Sequence, residues 1–363
     1  MPRVMYVAES FNAGVLAAVR VMAQEMHRRG WAVTIVHGRR AESPPDLPAL
    51  FPPGTTLHEL PWGQHLRLGR ELAVVGRLRR LFRDEGPDAI HLVSSRAGAA
   101  GRLAAWPRFR DRVFYSPQGW SFLAEHRHPL SRGAFRLIEW IAARLGGTIV
   151  ACSEGEASYG RRLSRRCVVV ENAIAAADSA PPARPGQPPV IGTIGRITAQ
   201  KDPGYFVEVV RRVVRERPAA RFVWVGDGEL RPILDEAART GLPIAVTGWL
   251  APAEVEGRLR GWSVFLLTSR YEGMPFAILE ALALGVPVVA RDVVGNRDAL
   301  RDGVTGSLFG SAAEAAAAVL RYLDDEPLRR RTSRAAQAEA ATRFAPERLG
   351  DEVERLYRTL IGR

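Results

Sequence analysis

Three side chains have types and spacings suited to chemistry. Glu272 and Glu280, with seven residues between them, lie in the stretch RYEGMPFAILEALALGVPVVA (270–290). Lys201 is the one lysine among 51 lysine and arginine residues. Glu280 sits among Phe276, Ile278, Leu279, Leu282 and Leu284. Burying a carboxylate without a partner costs several kcal/mol or forces it to be neutral, so it must face a cation or a ligand. Lysine is a compact point charge on a flexible stem, which the planar arginine fork does not reproduce. In so arginine-rich a chain a surviving lysine is either chance or a position where arginine fails. Arg196, five residues earlier, makes the second reading a paired clamp on a diphosphate.

The elements that must position these groups are strands ending in glycine. VIGTIGRI ends in Gly195 and Arg196, RFVWVGDG in Gly226, Asp227 and Gly228, IAVTGWL in Gly248 and Trp249, and SVFLLTSRYEGMP in Glu272 and Gly273. Glycine at a strand exit lets a ligand approach the backbone, and the N–H groups of the helix that follows attract an anion. Any one of these exits is weak evidence, whereas four in one domain point to a nucleotide or phosphate. Pro275 suits the first position of a helix, Gly285 suits the residue past its end, and VPVVA then reads as a buried strand.

Apolar runs alternate with amphipathic stretches along the whole chain. The first half reads as strands near 4–8, 32–38, 89–95, 112–117, 147–153 and 167–173, with the clearest helices at 14–29, 68–85 and 131–145. A proline- and alanine-rich stretch, 175–189, reads as a linker. Almost wholly apolar strands alternating with helices predict parallel sheets covered on both faces, hence an α/β chain of two doubly wound domains, 1–175 and 176–345. Ligands of such sheets sit beyond the carboxyl ends of the strands. A chain of 363 residues suits two such cores.

Composition narrows the function classes. The formal charge is +12, but the arginines are dispersed among 39 acidic residues and no nucleic-acid motif is present, so a nucleic-acid partner is not expected. No run is long enough to span a bilayer. The two cysteines, Cys152 and Cys167, have no metal-ligand spacing, and His126 and His128 read as loop surface. A reducing cytoplasm is the expected location, with peripheral contact at the inner membrane face as an addition. G-x-G-x-x-G does not follow the first strand, where VAESFNAG stands, which disfavours a dinucleotide-dependent oxidoreductase.

GRITAQKD, VGDGE, TGWL and EGMPFAILEALALGVPVVARDVVGNRD resemble the family 4 glycosyltransferases, and VAESFNAGV, HLVSSRAGAAGRLAA and YSPQGWSF are similar to bacterial polysaccharide-assembly members. The resemblance implies the GT-B fold, two Rossmann-like domains facing a central cleft, with a final helix (346–363) crossing back to the first domain. It implies a retaining, metal-independent transfer from a UDP- or GDP-sugar, UDP favoured, to a hydroxyl acceptor, either a lipid-linked saccharide or a small natural product. No cofactor is implied, since the nucleotide sugar is a substrate. By the same resemblance Arg196 and Lys201 hold the diphosphate, Glu272 reaches the donor sugar and Glu280 the ribose. Gly195, Gly226, Gly228, Gly248, Gly273, Met274 and Phe276 line the donor through their backbone, and Leu250 meets the base. Gly14, Gln118 and Gly119 fall to the acceptor or sugar. On this reading both glutamates are satisfied by ligand and need no protein partner.

Two positions depart from the family pattern. FNAGV keeps only Gly14 where many relatives carry a glycine pair, and Gln118 stands where polysaccharide-type relatives usually have histidine. Glutamine hydrogen-bonds but does not titrate near neutrality, so acid–base work at that position is excluded. A nucleotide-sugar epimerase and a non-catalytic sugar-binding protein are the competing readings, and neither calls for the arginine–lysine pair beside both glutamates. Residues 346–362 form an amphipathic stripe of Leu349, Val353, Leu356, Tyr357 and Leu360. The segment from Arg67 to Arg83 is either a membrane contact or a core-packed helix with a solvated arginine face.

Overall fold

The computed structural model describes residues 1–11, 13–39, 43, 46–63, 67–124, 128–174 and 188–361. They divide into two compact units, Met1–Ala173 with the segment from Pro346 onward, and Ile174–Ala345. The expected linker falls almost wholly outside the described residues, as does His126.

In the first unit the chain runs β1 (Arg3–Ala8), α1 (Ala13–Arg28), β2 (Ala32–His37), β3 (Thr56–Glu59), α2 (Leu68–Glu85) and β4 (Ala89–Val93). It continues through α3 (Ser95–Ala105), β5 (Val113–Ser116), α4 (Pro129–Arg144), β6 (Thr148–Ala151), α5 (Glu154–Leu163) and β7 (Cys167–Val169). The sheet is parallel, in the order β3-β2-β1-β4-β5-β6-β7. All five residues of β4 are buried, as both faces of a covered parallel sheet require. α2 turns Val74, Val75, Leu78 and Phe82 into the core and leaves Arg70, Arg77 and Arg80 in solvent, together with Leu68 and Leu72, so one face of this segment is core-packed. β3 was not legible as a strand. It is short, edges the sheet and reads TLHE, with no apolar run.

The second unit runs β8 (Val190–Ile194), α6 (Pro203–Glu216), β9 (Arg221–Val225), α7 (Arg231–Arg239), β10 (Ile244–Val246), α8 (Pro252–Arg260) and β11 (Val264–Leu267). There follow α9 (Phe276–Ala283), β12 (Val288–Arg291), α10 (Asn296–Ala299), β13 (Gly306–Phe309), α11 (Ala312–Asp324) and α12 (Glu326–Thr342). Its parallel sheet has the order β10-β9-β8-β11-β12-β13. β13, in VTGSLFG, was missed because its glycine and serine read as loop.

The last helix, α13 (Pro346–Ile361), packs in the first unit against α1. Arg29 donates to Asp351 at 2.7 Å and to the Glu347 carbonyl at 3.0 Å, and Trp31 Nε1 donates to Glu354 at 3.2 Å. Tyr357 is fully buried between Trp31, His91 and Phe114. Its hydroxyl lies 2.6 Å from His91 Nδ1, and the other ring nitrogen of His91 lies 2.8 Å from Ser116 Oγ.

Candidate functional site

In the second sheet the chain steps outward from β8 to β9 and β10, then returns to the other side of β8 as β11. That reversal is where a doubly wound sheet opens a crevice at its carboxyl edge. The loops leaving β8 and β11 are stitched together there. Arg270 N donates to the Gln200 carbonyl at 2.8 Å, Thr268 Oγ1 to the Lys201 carbonyl at 2.8 Å, and Gln200 Nε2 to the Tyr271 carbonyl at 3.1 Å.

This stitching brings Lys201 Nζ to 2.6 Å from Glu272 Oε1, with both side chains largely buried. The expectation that Glu272 has no protein partner is therefore corrected. A carboxylate so buried beside an ammonium is satisfied most cheaply by forming the pair. Gly195 makes room for it. Its φ is +147°, and a Cβ there would stand 2.8 Å from Lys201 Cε. Gly295, in the turn after β12, supports the partner. With φ at +87°, a Cβ at this position would stand 2.5 Å from the Gly273 carbonyl oxygen and 2.7 Å from that of Glu272.

α9 follows the Glu272 loop. Pro275 is its cap, in extended conformation, and not its first residue, so helical geometry begins at Phe276. This end of the helix lies directly after Gly273 and Met274, both buried. α9 buries Phe276, Ile278, Leu279, Ala281 and Leu282 and packs against α12. Glu280, in its second turn, reaches solvent only in part. Among the described residues no hydrogen bond or ion pair engages its carboxylate. Burial, helped by Glu256, pushes its carboxyl up to about 7.

The remaining expected positions border the same edge. Arg196 is exposed directly after Gly195. Gly226 N donates to the Gly248 carbonyl at 3.0 Å, which holds the exits of β9 and β10 together, and Ile197 N donates to the Asp227 carbonyl at 2.9 Å. Gly228 follows at the start of the turn into α7, and Leu250 is half-buried beside the exposed Trp249. Asp202 was missed. It adopts a left-handed backbone (φ +56°), caps α6, and its carboxylate meets Arg270 at 2.9 Å and Arg291 at 3.2 Å. Its place before Pro203 is a helix-start signal, but the two arginines are distant in sequence.

In the first unit the equivalent reversal lies between β1 and β4. Gly14 is in the first turn of α1 there, and Arg96 of α3 reaches Glu9 at 3.8 Å and the Gly63 carbonyl at 2.7 Å. Beyond β5, Gln118 (φ +55°) and Gly119 (φ +101°) form a tight turn. Gln118 and Asn172 exchange amide hydrogen bonds at 3.0 and 3.1 Å. Gly119 N donates to Glu156 at 2.6 Å, a carboxylate whose pKa is raised by its burial. Gln118 thus fixes its loop to the chain beyond β7. Its carry-over position and those of Gly14 and Gly119 belong to a unit separate from the lysine–glutamate pair.

Residues 13–173 match the family model described as glycosyl transferase 4-like domain, and residues 188–325 match that of glycosyl transferases group 1. The chain belongs to the family 4 glycosyltransferases. It is 28% identical to the GDP-mannose-dependent alpha-mannosyltransferase of Mycolicibacterium smegmatis, over 99% of this chain and 98% of that one. It is 26% identical to the UDP-Gal:alpha-D-GlcNAc-diphosphoundecaprenol alpha-1,3-galactosyltransferase of Escherichia coli, over 68% of each. A match at 32% identity spans only 46% of its relative. Anabaena HepE, solved in complex with UDP and glucose, aligns with a TM-score of 0.79 over 99% of this glycosyltransferase and 100% of that chain, at 16% identity. That likeness speaks for the fold, which is GT-B.

Proposed function

We propose that this glycosyltransferase binds a nucleoside diphosphate sugar at the carboxyl edge of its second sheet, a UDP-sugar in preference to a GDP-sugar, and transfers the sugar with retention to a hydroxyl. The observation that carries the reading is the Lys201–Glu272 pair at the reversal of the strand order, directly before the N-terminus of α9. A diphosphate would draw Lys201 from Glu272 and meet Arg196 and the N–H groups of Gly273, Met274 and Phe276, where the helix dipole favours negative charge. Glu272, released, would accept hydrogen bonds from the sugar hydroxyls, and Glu280 from the ribose. Gly195, Gly226, Gly228 and Gly248 would let backbone approach the nucleotide, with Leu250 near the base.

Charge on the departing diphosphate would be held by Arg196, Lys201 and helix N–H groups, so we propose a metal-independent course. A phosphate oxygen of the leaving group would take the acceptor's proton as the new bond forms on the same face of the sugar. Gly14, Gln118 and Gly119 would serve the acceptor. A lipid-linked saccharide in polysaccharide assembly is the favoured acceptor, supported by the name of the Escherichia coli relative, with a natural-product aglycone second. Action at the cytoplasmic face of a membrane follows from that acceptor. The test is binding of a panel of UDP- and GDP-sugars in the presence of chelator, then transfer from the tightest to candidate acceptors with the product anomer read by NMR. No binding by any of them, or an inverted product, would overturn the reading.

The glutamates should separate experimentally. Glu280→Gln should weaken binding of the free nucleoside diphosphate by roughly 1–3 kcal/mol, as for a lost charged acceptor. Glu272→Gln should not weaken it, because the substitution frees Lys201, yet turnover and sugar discrimination should fall. With its carboxyl near 7, Glu280 is mostly protonated at pH 6 and mostly ionised at pH 8. Calorimetry should therefore show affinity rising about tenfold more steeply across that range in the wild type than in Glu280→Gln. Equal losses of free-nucleotide binding in both variants, or identical pH slopes, would refute this division.

A further inference from the structure

α4 is amphipathic with its faces reversed. Its inward side carries Glu139, which accepts hydrogen bonds from Arg102 at 2.6 Å and from the Tyr115 hydroxyl at 2.7 Å, and both charged side chains are almost completely buried. Its outward side carries Leu130, Leu137, Ile138, Trp140 and Ile141, exposed by 44 to 79%. Five of the thirteen exposed large apolar side chains among the described residues thus stand on this one helix. Scattered exposure is ordinary, but a concentrated patch marks an interaction surface.

The charge around the patch is mainly positive. Arg136 and Arg144 are exposed on the same helix, and the one acid of α4 is Glu139, turned inward. Arg144 lies over the Trp140 ring at 3.2 Å. It also lines a depression of about 300 Å³ at the C-terminal end of the helix, together with Arg110, Arg165, Arg166 and Asp111. Asp111 meets Arg166 at 3.0 Å and Arg110 at 3.5 Å, so cations remain in excess. Two copies of this chain pairing through the patch about a two-fold axis would bring these arginines together, which like charge opposes. An anionic surface with an apolar interior is complementary to both features.

We propose that α4 and this arginine-lined depression seat the first unit on an anionic lipid surface. The apolar stripe enters the acyl boundary, Trp140 sits at headgroup level, and a lipid phosphate occupies the depression. The proposal stands apart from the donor-site reading, because lipid binding is measured without any transfer.

The experiment is co-sedimentation of the full chain with vesicles of mixed phosphatidylglycerol and phosphatidylcholine, and with phosphatidylcholine alone. The wild type should bind the anionic vesicles, and about tenfold more weakly the neutral ones or at high salt. Leu137→Asp with Ile141→Asp, and separately Arg144→Glu with Arg165→Glu, should each weaken binding about tenfold while thermal melting stays unchanged. Brominated phosphatidylglycerol should quench the fluorescence of the wild type, and less so that of Trp140→Phe, which supplies a readout if a charge variant misfolds. Indifference of the wild type to anionic vesicles at low salt, or full binding by both double variants, would overturn the proposal. A dimer dispersed by the Leu137/Ile141 variant with vesicle binding intact would assign the patch to a second copy.

Discussion

Replacing Lys201 by alanine should lower turnover by about two to three orders of magnitude, the loss typical of one positioned stabiliser of developing charge. The change removes the proposed diphosphate ligand and also leaves Glu272, 8% exposed, without its ammonium partner. Lys201→Arg is the sharper variant, because it keeps the charge. The lysine stem lies against Gly195, and a planar guanidinium at the end of that passage cannot reproduce a point charge able to swing between a carboxylate and a phosphate. Single-turnover rates with saturating donor should show the arginine variant impaired. Wild-type rates from it would remove the case for lysine chemistry at this position.

Tyr357→Ala should destabilise the first unit by about 3–5 kcal/mol, the usual effect of deleting a fully buried aromatic side chain. That is a large part of the stability of an ordinary domain, so deletion of residues 346–363 should abolish folding of this unit and activity on a soluble acceptor alike. Tyr357→Phe keeps the ring but strands a nitrogen of His91, costing about 1–3 kcal/mol. His91 adds a pH signature. Burial pushes its pKa down to about 3, so between there and 6.5 the unfolded chain holds the extra proton. Stability should fall by roughly 1.4 kcal/mol per pH unit as the pH drops below 6.5, and the slope should flatten in His91→Gln. Urea unfolding followed by tryptophan fluorescence measures all three. An unchanged midpoint for Tyr357→Ala would overturn the anchoring role of α13.

Local signals carried most of the fold. Long apolar runs such as those of β1, β4 and β11 are legible because both sheet faces are covered, and α2 is bounded by its own periodicity. What a single strand could not reveal was adjacency. Lys201 and Glu272 are 71 residues apart, and only the order β8 beside β11 brings them within hydrogen-bond reach. The same holds for Asp202 with Arg291. The orientation of α4 was not legible for another reason. Its apolar stripe reads like any core-facing helix, and only the burial of Glu139 against Arg102 shows that the helix is turned around. For the segment from Arg67 to Arg83 the sequence leaves membrane contact and core packing open, and only the fold shows that Val74, Val75, Leu78 and Phe82 of α2 enter the core. Glu280 was legible as a carboxylate in apolar surroundings, and it remains one in the fold.

The lysine that pairs with Glu272 is also the one ε-amine in the protein. Apart from the chain's terminal amine, amine-directed chemistry has a single target, and that target is partly buried and ion-paired at the donor edge. Reductive methylation with ¹³C-labelled formaldehyde would therefore install one reporter at this position, resolvable in a spectrum with almost no background. Its rate of labelling would report how often the pair opens unaided, and its chemical shift would follow the amine from carboxylate to diphosphate as donor is added. The composition that drove every other cation to arginine has left the molecule with a built-in spectroscopic handle at the position where a handle is most useful.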